Sequence, residues 1–417
     1  MAKAAKESVE SPKLGIGHNK RIIEGDRMLW IIFMVLVVVS ILVVYSSTAK
    51  MAYDTTSHLT TTESLRQQIV YVLVMSLPMI FIAHKINYNV YRYTTRIGYL
   101  LFIALTVATY VVGATTNGAA RWLAIGPIQF QPSEGLKIFT ILMLARCMEK
   151  KQDVITKIKL LPTSFKLRSP EQKRIIRENT IPILGPIVIS CLVIAPAHIS
   201  SAAIVGLVSI IMLYIGRVPK WEIFKFGLIA VIGAVVAFSL LSLIGIGRGN
   251  TAGGRFSTWI TEWTTDGKKG YVHELSDTER AMIAIHDGGF IGEGAGHSTS
   301  RAVVIHPESD YAYAFFASEY GFVAAIVLML LYLWITFRAI EICRRCHTAF
   351  LTFMTAGLGL LITCQAMLHI LVQVNFMPET GQTLPFISRG GSSLMFMSIA
   401  LGMIISVSRI PEKKKKI

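Results

Sequence analysis

Arg121, Glu134 and Lys137 belong to one run, Asn117-Gly-Ala-Ala-Arg-Trp-Leu-Ala-Ile-Gly-Pro-Ile-Gln-Phe-Gln-Pro-Ser-Glu134-Gly-Leu-Lys137. The run lies between two stretches apolar enough to cross a bilayer. A charge at bilayer depth costs about 2.5 kcal/mol or more, so ionisable residues kept there face a partner or a water-filled cavity. The glycines and prolines around them mark an ordered loop, which survives at that depth only where protein or water satisfies its backbone. Cations suit a pyrophosphate, and a carboxylate suits deprotonation of a hydroxyl. Glu134 and Lys137, three residues apart at the start of an apolar helix, are neighbours on one turn.

A second cluster, His306-Pro-Glu-Ser-Asp310-Tyr311, directly precedes another apolar run. Asp310 reads there either as a helix N-cap or as a general base. Upstream, Gly288-Gly-Phe-Ile-Gly-Glu-Gly-Ala-Gly296 permits positive φ and close backbone approach, which suits a turn-rich connector or a phosphate cradle. Further on, Gln365, His369 and Gln373 recur every four residues and form one polar stripe on a helix. Within lipid such a stripe packs inward, as interhelical glue or as the wall of a cavity. It leads into Asn375-Phe-Met-Pro-Glu379-Thr-Gly-Gln-Thr-Leu-Pro-Phe-Ile-Ser388-Arg389-Gly-Gly-Ser392-Ser393.

The elements that must position these residues are membrane spans. Of 417 residues 53% are hydrophobic and 16% charged, against about 25% charged in soluble domains. Apolar stretches begin near Trp30, Val70, Gly98, Gly135, Ile181, Ser201, Phe226, Phe315, Thr352 and Leu394, which predicts an all-α polytopic membrane protein of about ten helices. Basic residues crowd the N-terminal tail and alternate connections, among them Lys150 to Arg177, Arg217 to Lys225 and Arg338 to Arg345, and end in Lys413 to Lys416. By the positive-inside bias those loops and both termini are cytoplasmic.

The expected organisation is a cytoplasmic tail over 1–27, a membrane domain over 28–409 and a basic tail over 410–417. Within the membrane domain, a basic cytoplasmic loop occupies 149–179. A large outer loop, 247–311, joins helices seven and eight and carries a short amphipathic helix over Glu279 to His286. The net charge of +16 belongs to topology and anionic lipid rather than to nucleic acid. A polar stretch precedes the first span with no cleavable signal peptide. The five cysteines lie in spans or cytoplasmic segments, so no disulfide framework is expected, and Cys343-Arg-Arg-Cys346 lacks the second pair of a zinc site. Arg121, Glu134, Lys137, Arg255, Glu308, Asp310, Glu379 and Arg389 then converge on the outer face. That is a site for an anionic, lipid-linked substrate.

Three of these segments resemble the SEDS family (shape, elongation, division and sporulation), polytopic cell-wall polymerases that include FtsW and RodA. They are Asn117 to Leu123 with Gln131-Pro-Ser-Glu-Gly-Leu-Lys137, Gly288 to Ser298, and Pro378-Glu-Thr-Gly with Leu384-Pro-Phe-Ile-Ser-Arg-Gly-Gly-Ser-Ser393. The resemblance runs from about Asp26 to Arg409. It implies an inverting peptidoglycan glycosyltransferase acting on lipid II, working with a class B penicillin-binding protein and, if the FtsW-like reading holds, with other divisome proteins. The family's catalytic Asp falls on Asp310. Arg121, Glu134, Lys137, Arg255, Ser388, Arg389 and Ser392 become the candidate substrate-binding residues, with Glu134 orienting Lys137 and the cations stabilising the leaving pyrophosphate. A divalent cation, Mg²⁺ or Mn²⁺, is compatible with that load; no other cofactor is implied.

The resemblance has departures. The lead into Asp310 is two residues shorter than the family's when the Pro-Glu pairs are matched, which leaves the roles of His306 and Glu308 open. Arg389 stands where many relatives have Tyr, and Glu293 where Gln is common. The rival readings are a RodA-like elongation polymerase, a lipid II flippase, which needs no base, and a scaffold for the transpeptidase.

Overall fold

A computed structural model describes residues 24–48, 61–116, 119–125, 128–157, 176–244, 254–257, 259–260, 275–302 and 304–410. The predicted tail up to residue 23, most of the basic loop, parts of the large outer loop and the Lys413 to Lys416 tail lie outside the described residues. The helices are α1 (Arg27–Thr48), α2 (Thr61–Val70), α3 (Leu77–Lys85), α4 (Tyr88–Val112) and α5 (Pro132–Lys150). Then come α6 (Ile181–Ile194), α7 (Ile199–Ile215), α8 (Lys220–Ile244) and α9 (Asp277–Asp287). The last are α10 (Ala312–Cys343), α11 (Ala349–Gln373) and α12 (Gly391–Ser408).

Seven described spans are long and apolar enough to cross a membrane, one of them running through α2 and α3. The other three apolar stretches of the sequence fall on α5, the shorter α7, and α8. The chain is a polytopic, helical membrane protein. Among the described residues it departs from all-α in one place. The Arg121 connection folds as a three-stranded antiparallel sheet, β1 (Ala114–Thr116), β2 (Ala119–Ile125) and β3 (Ile128–Phe130). The sheet pairs the backbone polar groups of a segment that no helix could accommodate.

The α11 and α12 helices form the centre. Helix α11 packs on α10, α5, α7 and α12, and α12 also packs on α3. Their apolar faces are buried nearly all round, from Phe350 to Ile370 and from Leu394 to Val407, as expected of helices surrounded by helices.

Two irregularities shape the site end. Between α2 and α3 the helix loosens into a π turn, Tyr71–Ser76, just before Pro78. Proline has no N–H to give the preceding turn, so the ladder slips there. In α10, Gly321 takes φ 80° and ψ 173° and breaks the helix. The glycine-rich turn fills the gap. Glu293 N donates to Ser318 O (3.0 Å), Gly294 N to Glu319 O (3.0 Å), and Phe322 N to Gly289 O (2.9 Å). The buried Glu319 carboxylate accepts from Gly296 N (2.9 Å) and from the Ser46 hydroxyl of α1. At the opposite end, Arg338 bonds Asp26, and Arg409 Nη2 lies 2.9 Å from Glu24 Oε2, which ties α10 and α12 to the entry of α1.

Candidate active site

Asp310 sits in the turn before α10, with its carboxyl facing a small pocket lined by Tyr311, His369, Val372 and the Glu379-Thr380-Gly381-Gln382 segment. It is not the cap of α10. Tyr311 holds the N-cap position, without a side-chain capping bond. Among the described residues no hydrogen bond to the Asp310 carboxylate is found, whereas its main-chain oxygen accepts from Gln373 Nε2 at 3.2 Å. Burial pushes the Asp310 carboxyl above the ordinary Asp range, and Glu379 adds to that, while His306 and Arg255 oppose it. A carboxyl raised in this way and left without donors has the character of a base.

The polar stripe of α11 holds this turn. Gln373 bonds both Ala314 N and His369, and His369 Nδ1 reaches Gln382 O at 2.7 Å. Gln365 Nε2 donates to Thr383 O at 3.1 Å, and Gln365 Oε1 accepts from Lys137 Nζ at 2.8 Å. The stripe therefore serves as glue between helices and outer loops. From the first turn of α7, Ser200 and Ser201 accept from Gln382 Nε2 at 3.0 and 3.1 Å, and Nδ1 of His198, the N-cap of that helix, lies 2.9 Å from it.

Lys137 is 0% exposed, with Nζ 2.8 Å from Glu134 Oε1. The expected Glu134–Lys137 pairing is present, but Lys137 presents no surface to a ligand. Gln365 and Glu134 take up the ammonium within the helix bundle. Arg121 lies on β2, and its side chain is outside the described ones.

Arg255 Nε lies 3.3 Å from Glu379 Oε2, and the Tyr311 hydroxyl donates to Glu379 Oε1 at 3.0 Å. Arg389 N donates to Glu308 O (2.7 Å), and the Arg389 guanidinium reaches Gln67 on α2. Ser388 Oγ donates to Ser309 O (2.6 Å) and accepts from Leu384 N (2.8 Å), so it fixes the turn that carries Asp310. Ser392 is buried in the first turn of α12, beside Ser393, whose hydroxyl lies 2.9 Å from Thr383 Oγ1. His306 Nδ1 is 3.8 Å from Glu308 Oε1. Burial alone would raise the Glu308 carboxyl, but the His306 contact and the Arg389 charge outweigh it and hold it low.

On the other side of the 308–310 turn a cleft of about 520 Å³ opens between Tyr71, Val74 and Met75 of the π turn, Trp122 and Gln129 of the sheet, and Glu308, Ser309 and Arg389. Its size suits a small-molecule group. Its walls are apolar along the helix and polar at the rim, as a lipid-linked ligand requires.

The glycine-rich turn is no phosphate cradle. The N–H groups of Gly292, Glu293, Gly294, Gly296 and His297 are all bonded within the turn or to α10. Sequence reasoning missed His198, Trp122, Gln129, Tyr311 and Gln382. Trp122, Gln129, Tyr311 and Gln382 stood inside the runs singled out in the sequence, and His198 did not.

The family model described as cell cycle protein, which groups FtsW, RodA and SpoVE, matches residues 26–413. The chain is 28% identical over 345 residues to a probable peptidoglycan glycosyltransferase FtsW of Coxiella burnetii, covering 81% of this chain and 84% of that one. It is 26% identical to the stage V sporulation protein E of Bacillus subtilis, over 92% of this chain and 97% of that one. Among solved structures, it superposes with a TM-score of 0.64 on a chain of a peptidoglycan synthase complex that coordinates polymerization and crosslinking, at 19% identity over 92% and 98% of the two chains. The rod shape determining protein RodA of Thermus thermophilus aligns with a TM-score of 0.58, at 19% identity over 92% and 97%. Those two likenesses concern the fold.

Proposed function

The chain belongs to the FtsW, RodA and SpoVE family of cell cycle proteins, and from that premise we propose that it is a peptidoglycan glycosyltransferase polymerising lipid II at the outer face of the cytoplasmic membrane. The observation that carries the reading is Asp310, a partly buried carboxyl without hydrogen-bond donors among the described residues, beside a cleft whose rim carries Arg389. The relatives named FtsW support a septal role in division, and the synthase-complex likeness supports a class B penicillin-binding protein as the partner.

In the reaction, the acceptor sugar's 4-hydroxyl attacks the anomeric carbon of the donor. The new glycosidic bond forms as the bond to the undecaprenyl pyrophosphate breaks, with inversion, and Asp310 takes the hydroxyl proton. Negative charge then grows on the leaving pyrophosphate. Arg389 at the rim of the cleft, Arg255 beside Glu379, and Arg121 on β2 are the cations to meet it. Glu134 and Lys137 act at one remove. Through Gln365 they hold the Thr383 backbone, and with it the segment that borders Asp310. Among the described residues no three His, Cys, Asp or Glu side chains gather as a metal cage. A divalent cation would be held chiefly by pyrophosphate oxygens, so no step is routed through one.

A positioned base contributes about 10²–10⁴-fold in rate. Asp310→Ala is therefore expected to lower lipid II polymerisation by the purified protein with its partner at least about 10²-fold, at unchanged folded yield. Equal strand synthesis by the variant removes Asp310 from the role. No strands from the wild type, folded and with partner present, moves the protein to the flippase or scaffold readings.

A further inference from the structure

The pocket that Asp310 faces has no room for a water molecule. It is bordered by the segment 379–382, whose backbone is anchored by the Ser200 hydroxyl, which donates to Thr380 O (3.2 Å), and whose Glu379 side chain forms part of the pocket wall. The two carboxylate oxygens of Glu379 are divided between Arg255 (3.3 Å) and the Tyr311 hydroxyl (3.0 Å). Gly381, at φ +57°, brings the backbone so close that a Cβ there would lie 3.8 Å from Asp310 Oδ2. The arrangement presents a contradiction for a catalyst. A base must reach a hydroxyl, yet the pocket beside this one has no room for it, and the Arg255 cation next to that pocket is already paired with an internal carboxylate.

We propose that Glu379 is a resident anion that occupies Arg255 in the substrate-free protein, and that the donor's pyrophosphate displaces it, turning the Glu379 side chain out of the pocket that Asp310 faces. The inference rests on the lipid II reading given above. The exchange is physically cheap. The Arg255 and Glu379 side chains are 30% and 27% exposed, so their pair is a weak, solvent-screened one. A pyrophosphate offers the guanidinium more charge and more acceptors than one carboxylate, including bidentate geometry. Freed Glu379 can turn into water, since it is already partly exposed. The other tethers hold the backbone of the loop. His369 holds Gln382 O, Gln382 Nε2 reaches Ser200 and Ser201, and the Ser200 hydroxyl donates to Thr380 O. Exchange at Glu379 therefore moves its side chain while the backbone stays anchored.

The test measures binding of undecaprenyl pyrophosphate to the purified full chain, and KM and kcat for lipid II with the partner present. It compares wild type, Glu379→Gln, Arg255→Ala and the Arg255→Ala/Glu379→Gln double variant. Glu379→Gln keeps the size and the Tyr311 contact while removing the charge. It is expected to tighten undecaprenyl pyrophosphate and lower KM by about fivefold, the scale of one half-exposed ion pair. In the Arg255→Ala background the same substitution is expected to change neither. Equal or weaker binding by Glu379→Gln, or an equal gain without Arg255, overturns the exchange. Tighter binding by Glu379→Gln in a protein whose wild type makes no strands would leave the exchange standing and overturn the polymerase reading instead.

Discussion

At the scale of single residues, the ion pair Glu134–Lys137 separates two meanings of a charge inside a membrane protein. Its spacing was legible, because residues three apart on a helix meet. That Lys137 turns inward was not, because the residue that receives it, Gln365, is 228 positions away in sequence. Breaking a buried pair by removing one partner costs about 3–5 kcal/mol, while replacing both is often neutral. Lys137→Met is accordingly expected to lower thermal stability in detergent sharply, since it leaves the Glu134 carboxylate enclosed and Oε2 already has no hydrogen bond among the described residues. Glu134→Gln/Lys137→Met is expected to regain most of the loss. A double variant as unstable as the single one would show that Lys137 contributes more than neutralisation. Asp310 is the converse case. Its helix-start position suggested a cap as readily as a base, and only the position of Tyr311 as N-cap separates the two.

At the scale of elements, the break in α10 explains why the large outer loop carries so many glycines. The apolar run from Ala312 gives no sequence sign of an interruption beyond Gly321 itself. The glycine run upstream was readable as close backbone approach, but its partner was not, because a helix break leaves no periodicity to detect. Gly321 needs glycine twice over. Its φ of +80° lies in the left-handed half, and a Cβ would stand 2.4 Å from Phe290 O and from Ile291 C, both backbone atoms that cannot swing aside. Gly289 also has positive φ, +53°, but nothing within 4 Å of its Cβ position. Strained backbone of this kind costs about 1–3 kcal/mol. Gly321→Ala should therefore reduce the melting temperature well beyond Gly289→Ala, and should impair polymerisation, because the turn it unseats is joined through Glu319 and Ser46 to α1. Equal shifts for the two variants would mean that the turn does not clasp the break. The amphipathic helix read over Glu279 to His286 does form, as α9, with a capping box between Ser276 and Glu279. The small sheet was not legible, because its strands are short and its charge pattern suggested only a loop.

At the scale of the whole molecule, the argument for function depends on which membrane face holds the site. Hydropathy located the helices well, since each expected apolar stretch falls on one. Helix α5 carries internal polar residues and α7 runs short, which weakens their hydropathy signal. Which face is outer comes from charge alone. Lys and Arg gather at the end where Arg338, Arg344, Arg345 and Arg409 lie, and the cleft opens at the other. Lipid II polymerisation requires that second end to face outward, where the wall is built. Single cysteines decide the matter. In a background with the five native cysteines replaced by alanine, Asp287→Cys, exposed at the end of α9, is expected to react with a membrane-impermeant maleimide in intact cells. His347→Cys, exposed on the basic turn between α10 and α11, is expected to react only after permeabilisation. The positive-inside bias acts through short loops near the span ends, which is the situation of that turn. The reverse pattern of labelling would put Asp310 on the cytoplasmic side, where a polymerase of exported lipid II has no substrate, and would overturn the proposed function even with the fold and the site geometry unchanged.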